Sequence, residues 1–277
     1  MMNCKTEIAE LNLKENFTQF IAHAQKAILM IVRGKRSRSQ PDGLKKETCR
    51  QIGTGFFISP KGTAVTNRHV LKLFDEPLTE DETLAAVYYD PGLEQYQCVA
   101  LKEEAMTFRQ IDIAILELHC KPESWLPLYE GRVHLGEGIC TLGYPAVNGQ
   151  EEAAFSLDDI EGRARFCCAS VCSVRKQDFV CNKGLIELRG KRLIEIDRYM
   201  ANGLSGSPVF RASDGQVMGV VVGTKLHVEH TLYTAVYEPR KEKERLRPLP
   251  FIVPTSYVLS VEEILPFIRS GQSSSEN

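Results

Sequence analysis

Apolar residues along this chain recur in short runs of strand length, broken by glycine, proline and aspartate at turns. Runs at 27–32, 53–59, 63–65, 83–89, 95–100, 112–116, 136–142, 164–174, 185–188, 193–196, 209–210 and 217–222 predict β-strands. Pro60-Lys61-Gly62, Asp90-Pro91-Gly92 and Ser213-Asp214-Gly215 predict the tight turns between them. Helical spacing is confined to three places. Residues 5–28 carry Ile8, Leu11, Phe17, Phe20, Ile21 and Ala24 on one irregular face, residues 70–74 make one short turn, and 258–268 suit a closing helix. The first of these faces is expected to pack on the strands, with a partner-binding or regulatory role as the alternative. Residues 33–46 and 237–250 are charged and turn-rich, and are expected as long loops, the second of them mobile. Residues 272–277 are expected as a disordered end. The pattern is that of an all-β chain with a helix at each end. Pro122 and Pro127 mark a junction, so the chain divides into an extension at 1–26, strand sets at 27–126 and 127–268, and a tail at 269–277.

Bulk properties narrow the functional classes. With 277 residues, 43% hydrophobic and 25% charged, the chain can bury a sizeable core. Its net charge of −2 recruits neither nucleic acid nor an acidic membrane surface. The one basic stretch, 33–46, lacks the interleaved aromatics that stack on bases. The apolar run 27–32 is far shorter than the about 20 residues that span a bilayer, and too short for a secretory core. A soluble, cytoplasmic chain is expected. Nine cysteines are an odd number and fit free thiols better than a disulfide framework. Cys167, Cys168, Cys172 and Cys181 cluster, but without the paired C-x-x-C knuckles of common zinc sites, so no metal and no organic cofactor is expected. His227 and His230 stand three apart, a spacing for a helix rather than a strand, and receive no role.

The chemistry is concentrated at Asn202-Gly203-Leu204-Ser205-Gly206-Ser207-Pro208, a glycine-rich turn between two apolar runs. An acyl-transfer nucleophile needs a hydroxyl standing clear of the backbone beside N–H groups that can hold an oxyanion. A lone G-x-S-G is equally a plain turn. Two upstream motifs change the weighting. Thr66-Asn67-Arg68-His69-Val70 follows a hairpin pattern, and Asp112-Ile113-Ala114-Ile115-Leu116 puts an acid at the head of an apolar strand. The order His69, Asp112, Ser205 is one of the known chain orders for a Ser-His-Asp triad.

With these motifs the chain resembles the trypsin-like (chymotrypsin-fold) serine peptidases, and among them the bacterial HtrA/Deg type. Gly53-Thr54-Gly55-Phe56 is similar to that group's G-S/T-G-F, Val65 to Val70 to its L/V-T-N-x-H-V, Asp112 to Leu116 to its D-I/L-A-V/L-L/I, and Leu142-Gly143-Tyr144-Pro145 to its I-G-x-P. Asp197 stands eight residues before Ser205, as in the group's D-x(5)-G-N-S-G. The likeness spans roughly 27–268 and implies two antiparallel six-stranded barrels with the active site between them. It implies an endopeptidase with catalytic His69, Asp112 and Ser205 and an oxyanion hole at the N–H groups of Gly203 and Ser205. By the same resemblance Tyr199, Met200, Val221, Val222 and Gly223 shape the substrate site. These are apolar and include no pocket carboxylate, so cleavage after apolar residues is expected.

The chain also departs from its likenesses. Leu204 stands where digestive enzymes carry the aspartate that pairs with a new N-terminus, and where HtrA proteins carry asparagine. A zymogen salt bridge is therefore excluded, and a loop-ordering switch set by substrate or an activating protein partner is the expectation. No PDZ domain is expected after the closing helix. Protein or peptide substrates are the expected partners. An inactive scaffold that binds a partner through its cleft is the alternative from another class.

Overall fold

The strand with the least alternation lies deepest. β1 (Ile28–Lys35) is buried at seven of its eight positions, whereas a strand facing solvent on one side would alternate. Its depth follows from the sheet order. A computed structural model of the chain describes residues 13–35, 49–72, 78–101, 106–146, 160, 163–181, 186–238 and 243–274. In it, β1 is joined by β2 (Arg50–Phe57), β3 (Thr63–Asn67), β4 (Glu82–Asp90), β5 (Gln95–Ala100), β6 (Met106–Phe108) and β7 (Ile113–Glu117). They form one antiparallel sheet in the order β5-β4-β1-β2-β3-β7-β6, with β1 held between β4 and β2.

A second sheet closes on itself. β8 (Gly138–Gly143), β9 (Arg165–Cys181), β10 (Ile186–Ile196), β11 (Pro208–Arg211), β12 (Val217–Glu238) and β13 (Lys243–Ser260) form a six-stranded barrel in the order β10-β13-β12-β11-β8-β9. The double all-β architecture is as the sequence predicts. The first sheet, however, contains seven strands where six are expected, because the three-residue β6 pairs with β7 at its outer side. So short an edge strand has no readable alternation.

Among the described residues three helices flank the sheets: α1 (Leu13–Ala27), the four-residue α2 (Arg68–Leu71) and α3 (Val261–Ser274). α1 buries Phe20 and Ala24, and the Phe20 ring meets Phe210 of β11 edge-on at 5.1 Å. Its far side is tied by Lys26 to Glu123 at 2.6 Å, in the connection between the sheets. α3 buries Ile264 and Ile268 and sets Phe267 against Phe108 at 4.7 Å. One apolar cluster, including Ile28, Met30, Phe56, Leu142, Phe210 and Tyr257, runs through both sheets and both long helices. Among the described residues no helix is long and apolar enough to cross a membrane.

Three sequence expectations differ from the structure. Residues 237–250 were expected as a loop, but β12 and β13 pair from Gly219 with Ser260 out to Glu238 with Lys243, so the described part of that segment is the end of a long ribbon. Proline, which lacks an N–H, is compatible with such a ribbon because each strand has an outer edge there. The runs 185–188 and 193–196 are one strand, β10, with an irregularity between Leu188 and Lys191 at Gly190. α3 continues to Ser274, so much of the expected tail is helical, with Arg269 paired to Glu130 at 3.0 Å. The basic residues Arg36, Arg38, Lys45 and Lys46, and the helix expected before residue 13, lie outside the described residues.

Phe20→Ala is expected to cost about 3–5 kcal/mol, the usual range for emptying a fully buried aromatic position. Urea unfolding of the two proteins checks this; a loss below 1 kcal/mol would mean that α1 is not docked.

Candidate active site

β3 and β7 run antiparallel with Asn67 opposite Ile113, so the residues just past the end of β3 must lie beside the residue just before β7. Those residues are His69 and Asp112. Asp112 closes a short 3-10 turn (Arg109–Ile111) in the left-handed conformation, φ 51°, a region that aspartate enters more readily than most side chains. This turns its carbonyl toward α2, where it accepts from the Arg68 N–H at 3.0 Å and the Asn67 side-chain amide at 3.2 Å. The carboxylate grips His69 twice. Oδ1 accepts the His69 backbone N–H at 3.0 Å and Oδ2 lies 2.6 Å from Nδ1. Both residues are about 1% exposed. An ionised carboxylate accepts only, so Nδ1 carries a proton, and the neutral imidazole in this contact has its lone pair on Nε2.

Ser205 belongs to the other sheet, on the turn between β10 and β11, and is half-buried. Its backbone is fastened to the first sheet, because the Thr54 N–H of β2 donates to the Ser205 carbonyl at 2.9 Å. The Thr54 hydroxyl donates to the Gly203 carbonyl at 2.9 Å and accepts the Tyr144 N–H at 3.0 Å. Thr66 donates in turn to the Thr54 carbonyl at 2.7 Å. Gln51 donates its side-chain amide to the Tyr144 carbonyl. These contacts hold the turn against β2 and against the segment after β8.

Two glycines make that closeness possible. At Gly206, φ 86°, a Cβ would sit 2.0 Å from the Thr54 carbonyl oxygen; at Gly203, φ 87°, it would sit 2.5 Å from the Ala146 nitrogen. Within the turn the N–H groups of Leu204, Gly206 and Ser207 are committed to the carbonyls of Ala201, Val221 and Leu204. Those of Gly203 and Ser205 donate to no group among the described residues.

The other residues singled out by sequence are more scattered. Met200, Val221 and Val222 are buried, the first two in one apolar cluster with Ile196, Leu204, Met218 and Val258. Gly223 is half-buried, and Tyr199 is exposed beside the turn. Asp197 is exposed and accepts the Ser170 N–H at 2.7 Å, away from His69 and Ser205 in role. Cys140 and Cys168 face each other across β8 and β9 with their sulfurs 3.7 Å apart, and burial pushes the Cys140 thiol up to about 12. Cys167 and Cys172 lie on the same strand as Cys168, while the side chain of Cys181 is outside the described residues. No group of three or more His, Cys, Asp or Glu among the described residues is placed to hold a metal.

A model of the trypsin-like peptidase domain matches residues 53–220, which is most of the chain and includes His69, Asp112 and Ser205. The chain belongs to the trypsin-like peptidase domain family. It is a hydrolase domain of the serine-protease class. Its fold is similar to that of the active form of the Rv3671c protease from M. tuberculosis, at 19% identity over 93% of this chain and 85% of that one, TM-score 0.55. It is also similar to Deg5, at 13% identity over 91% and 92%, TM-score 0.57. An HtrA-type protease with a tripeptide is a third such structure, at 13% identity over 92% of this chain and 62% of that one, TM-score 0.51. No curated protein sequence matches the chain.

Sequence reasoning missed the part played by Thr54 in this peptidase domain. The signal was a polar residue between two glycines inside an otherwise apolar strand. Leu204, read from sequence only as a missing charge, is 7% exposed and packs in the apolar cluster of Met200 and Val221. Its side chain is an anchor for the turn.

Thr54→Val removes the hydroxyl but keeps the shape, leaving the Tyr144 N–H and the Gly203 carbonyl unsatisfied in a dry site. It is expected to lower stability by about 1–3 kcal/mol in urea unfolding. Thr54→Ser should retain wild-type stability to within about 1 kcal/mol.

Proposed function

We propose that this trypsin-like peptidase domain is an active serine endopeptidase, with Ser205 as nucleophile, His69 as general base and acid, and Asp112 as its orienting partner. The observation that carries the reading is the double grip of Asp112 on His69, which sets the one tautomer able to take a proton at Nε2. Ser205 Oγ attacks the scissile carbonyl carbon as its proton passes to His69 Nε2. The tetrahedral oxyanion is received by the N–H groups of Gly203 and Ser205, which flank Leu204 and are not committed elsewhere among the described residues. Collapse expels the amine, which takes the proton back from His69, and water then repeats the sequence on the acyl-enzyme.

Substrate binding follows from the strand next to the turn. β12 leaves its partner β11 after Val220, so Val222, Gly223 and Thr224 offer backbone groups with which an extended peptide can pair. Tyr199, Gly223 and Thr224, the exposed or half-buried residues beside the turn, carry no charge, which supports cleavage after apolar rather than basic residues. Nine cysteines cannot all pair, and no disulfide joins those whose side chains are described, which supports a reducing, intracellular setting.

A fluorophosphonate probe should label the wild-type protein and not Ser205→Ala. Peptide hydrolysis by Asp112→Asn should fall about 10⁴-fold, through the wrong imidazole tautomer. Equal labelling of wild type and Ser205→Ala, or none of either, would refute the assignment.

A further inference from the structure

We infer that the pocket beside Ser205 is closed by a hydrogen-bonded bridge through Thr224, so that the residue supplying the scissile carbonyl must be small, of the alanine or serine class. The inference rests on the catalytic reading above and narrows its substrate class.

On the reading above, in which an extended substrate pairs with β12 beside the turn, three backbone segments border the place that residue's side chain must take. The first is Tyr199-Met200, just upstream of the nucleophile turn. The second is β12 at Val222 to Thr224, fixed to the turn because the Gly206 N–H donates to the Val221 carbonyl at 2.9 Å. The third is β13 at Ser256, the register partner of both Thr224 and Ile196. In an open pocket these walls must stand apart. A flat side chain in van der Waals contact with walls on both faces needs them roughly 7 Å apart.

Here the walls are joined. The Thr224 hydroxyl donates to the Met200 carbonyl at 2.9 Å and lies 2.9 Å from the Ser256 hydroxyl. The Ser256 hydroxyl accepts the Met200 N–H at 2.9 Å. The protons balance: Met200 N–H to Ser256, Ser256 O–H to Thr224, Thr224 O–H to the Met200 carbonyl. Ser256 is fully buried and Met200 nearly so. A larger side chain could enter only by parting these bonds and leaving their donors and acceptors without partners in a dry site.

The apolar residues at this place do not offer an alternative cavity, since Met200 and Val221 are packed with Leu204 and Val258 in the barrel interior. What remains is the mouth, bordered by the exposed Tyr199 and the half-buried Gly223 and Thr224. A methyl or hydroxymethyl group fits there. Leucine, phenylalanine and arginine do not.

The test is a series of fluorogenic tetrapeptides that differ only in the residue before the scissile bond: Ala, Ser, Leu, Phe or Arg. Each is assayed against wild type, Thr224→Ser and Thr224→Gly, with fluorophosphonate labelling of each protein as the control for an assembled nucleophile. Wild type should turn over Ala and Ser with kcat/KM at least about tenfold above Leu and Phe. Thr224→Ser, which keeps the hydroxyl, should retain that order, and Thr224→Gly should raise the Phe and Leu values about tenfold or more. If a labelled wild type cleaves after Leu or Phe as fast as after Ala, the closed pocket is refuted and the catalytic reading stands. If wild type neither labels nor cleaves any peptide, both fall. Should Thr224→Gly not fold, the wild-type and Thr224→Ser panels decide the matter alone.

Discussion

One buried threonine joins the two sheets at the turn that carries Ser205. Thr54 uses every polar group it has. Its N–H goes to Ser205, its hydroxyl to Gly203 and from Tyr144, and its carbonyl accepts Thr66. A fully exposed hydrogen bond contributes little in water, but here Thr54 is 0% exposed, so each lost bond would strand one of its own buried groups. The bonds therefore act as a set. They fix the spacing between the sheet that carries His69 and the turn that carries Ser205, a spacing that neither sheet could set alone.

On each side of this junction the geometry comes from elementary features of antiparallel pairing. β3 and β7 bring the ends of two strands together, and the left-handed turn at Asp112 converts that adjacency into a clamp on the imidazole. Across the junction, two glycines in the left-handed region let the turn that carries Ser205 lie against β2 and the segment after β8 with no side chain between. The first arrangement is local to one sheet. The second needs both.

This division explains what was legible in the sequence. Strands such as β1, β4, β5 and β8 announced themselves through continuous or alternating apolar runs, and His69, Asp112 and Ser205 stood out because each sits in a motif at a strand end or turn. Thr54 was visible as a residue but not as a junction, since its four partners are spread from Thr66 to Ser205 and only the packing of two sheets brings them together. Met200 and Val221 were given to the substrate site by resemblance, and the packing of their side chains in the barrel interior is something no local pattern encodes. The outer ribbon of β12 and β13 was hidden for a different reason. Prolines and clustered charges look like loop, and the pairing that makes them strand is set far away, where the same two strands enter the barrel.

Leu204 has a thermal consequence. A nucleophile turn secured by an ion pair is sensitive to protons and to salt, because both act on the charges that hold it. A turn secured by an apolar side chain among Met200, Met218 and Val258 has no proton to gain or lose. Its attachment is mainly entropic near room temperature and carries a heat-capacity change, so it loosens on cooling. This anchor of the turn is thereby tied to water structure around a hydrocarbon side chain, and chilling acts on it where acid does not.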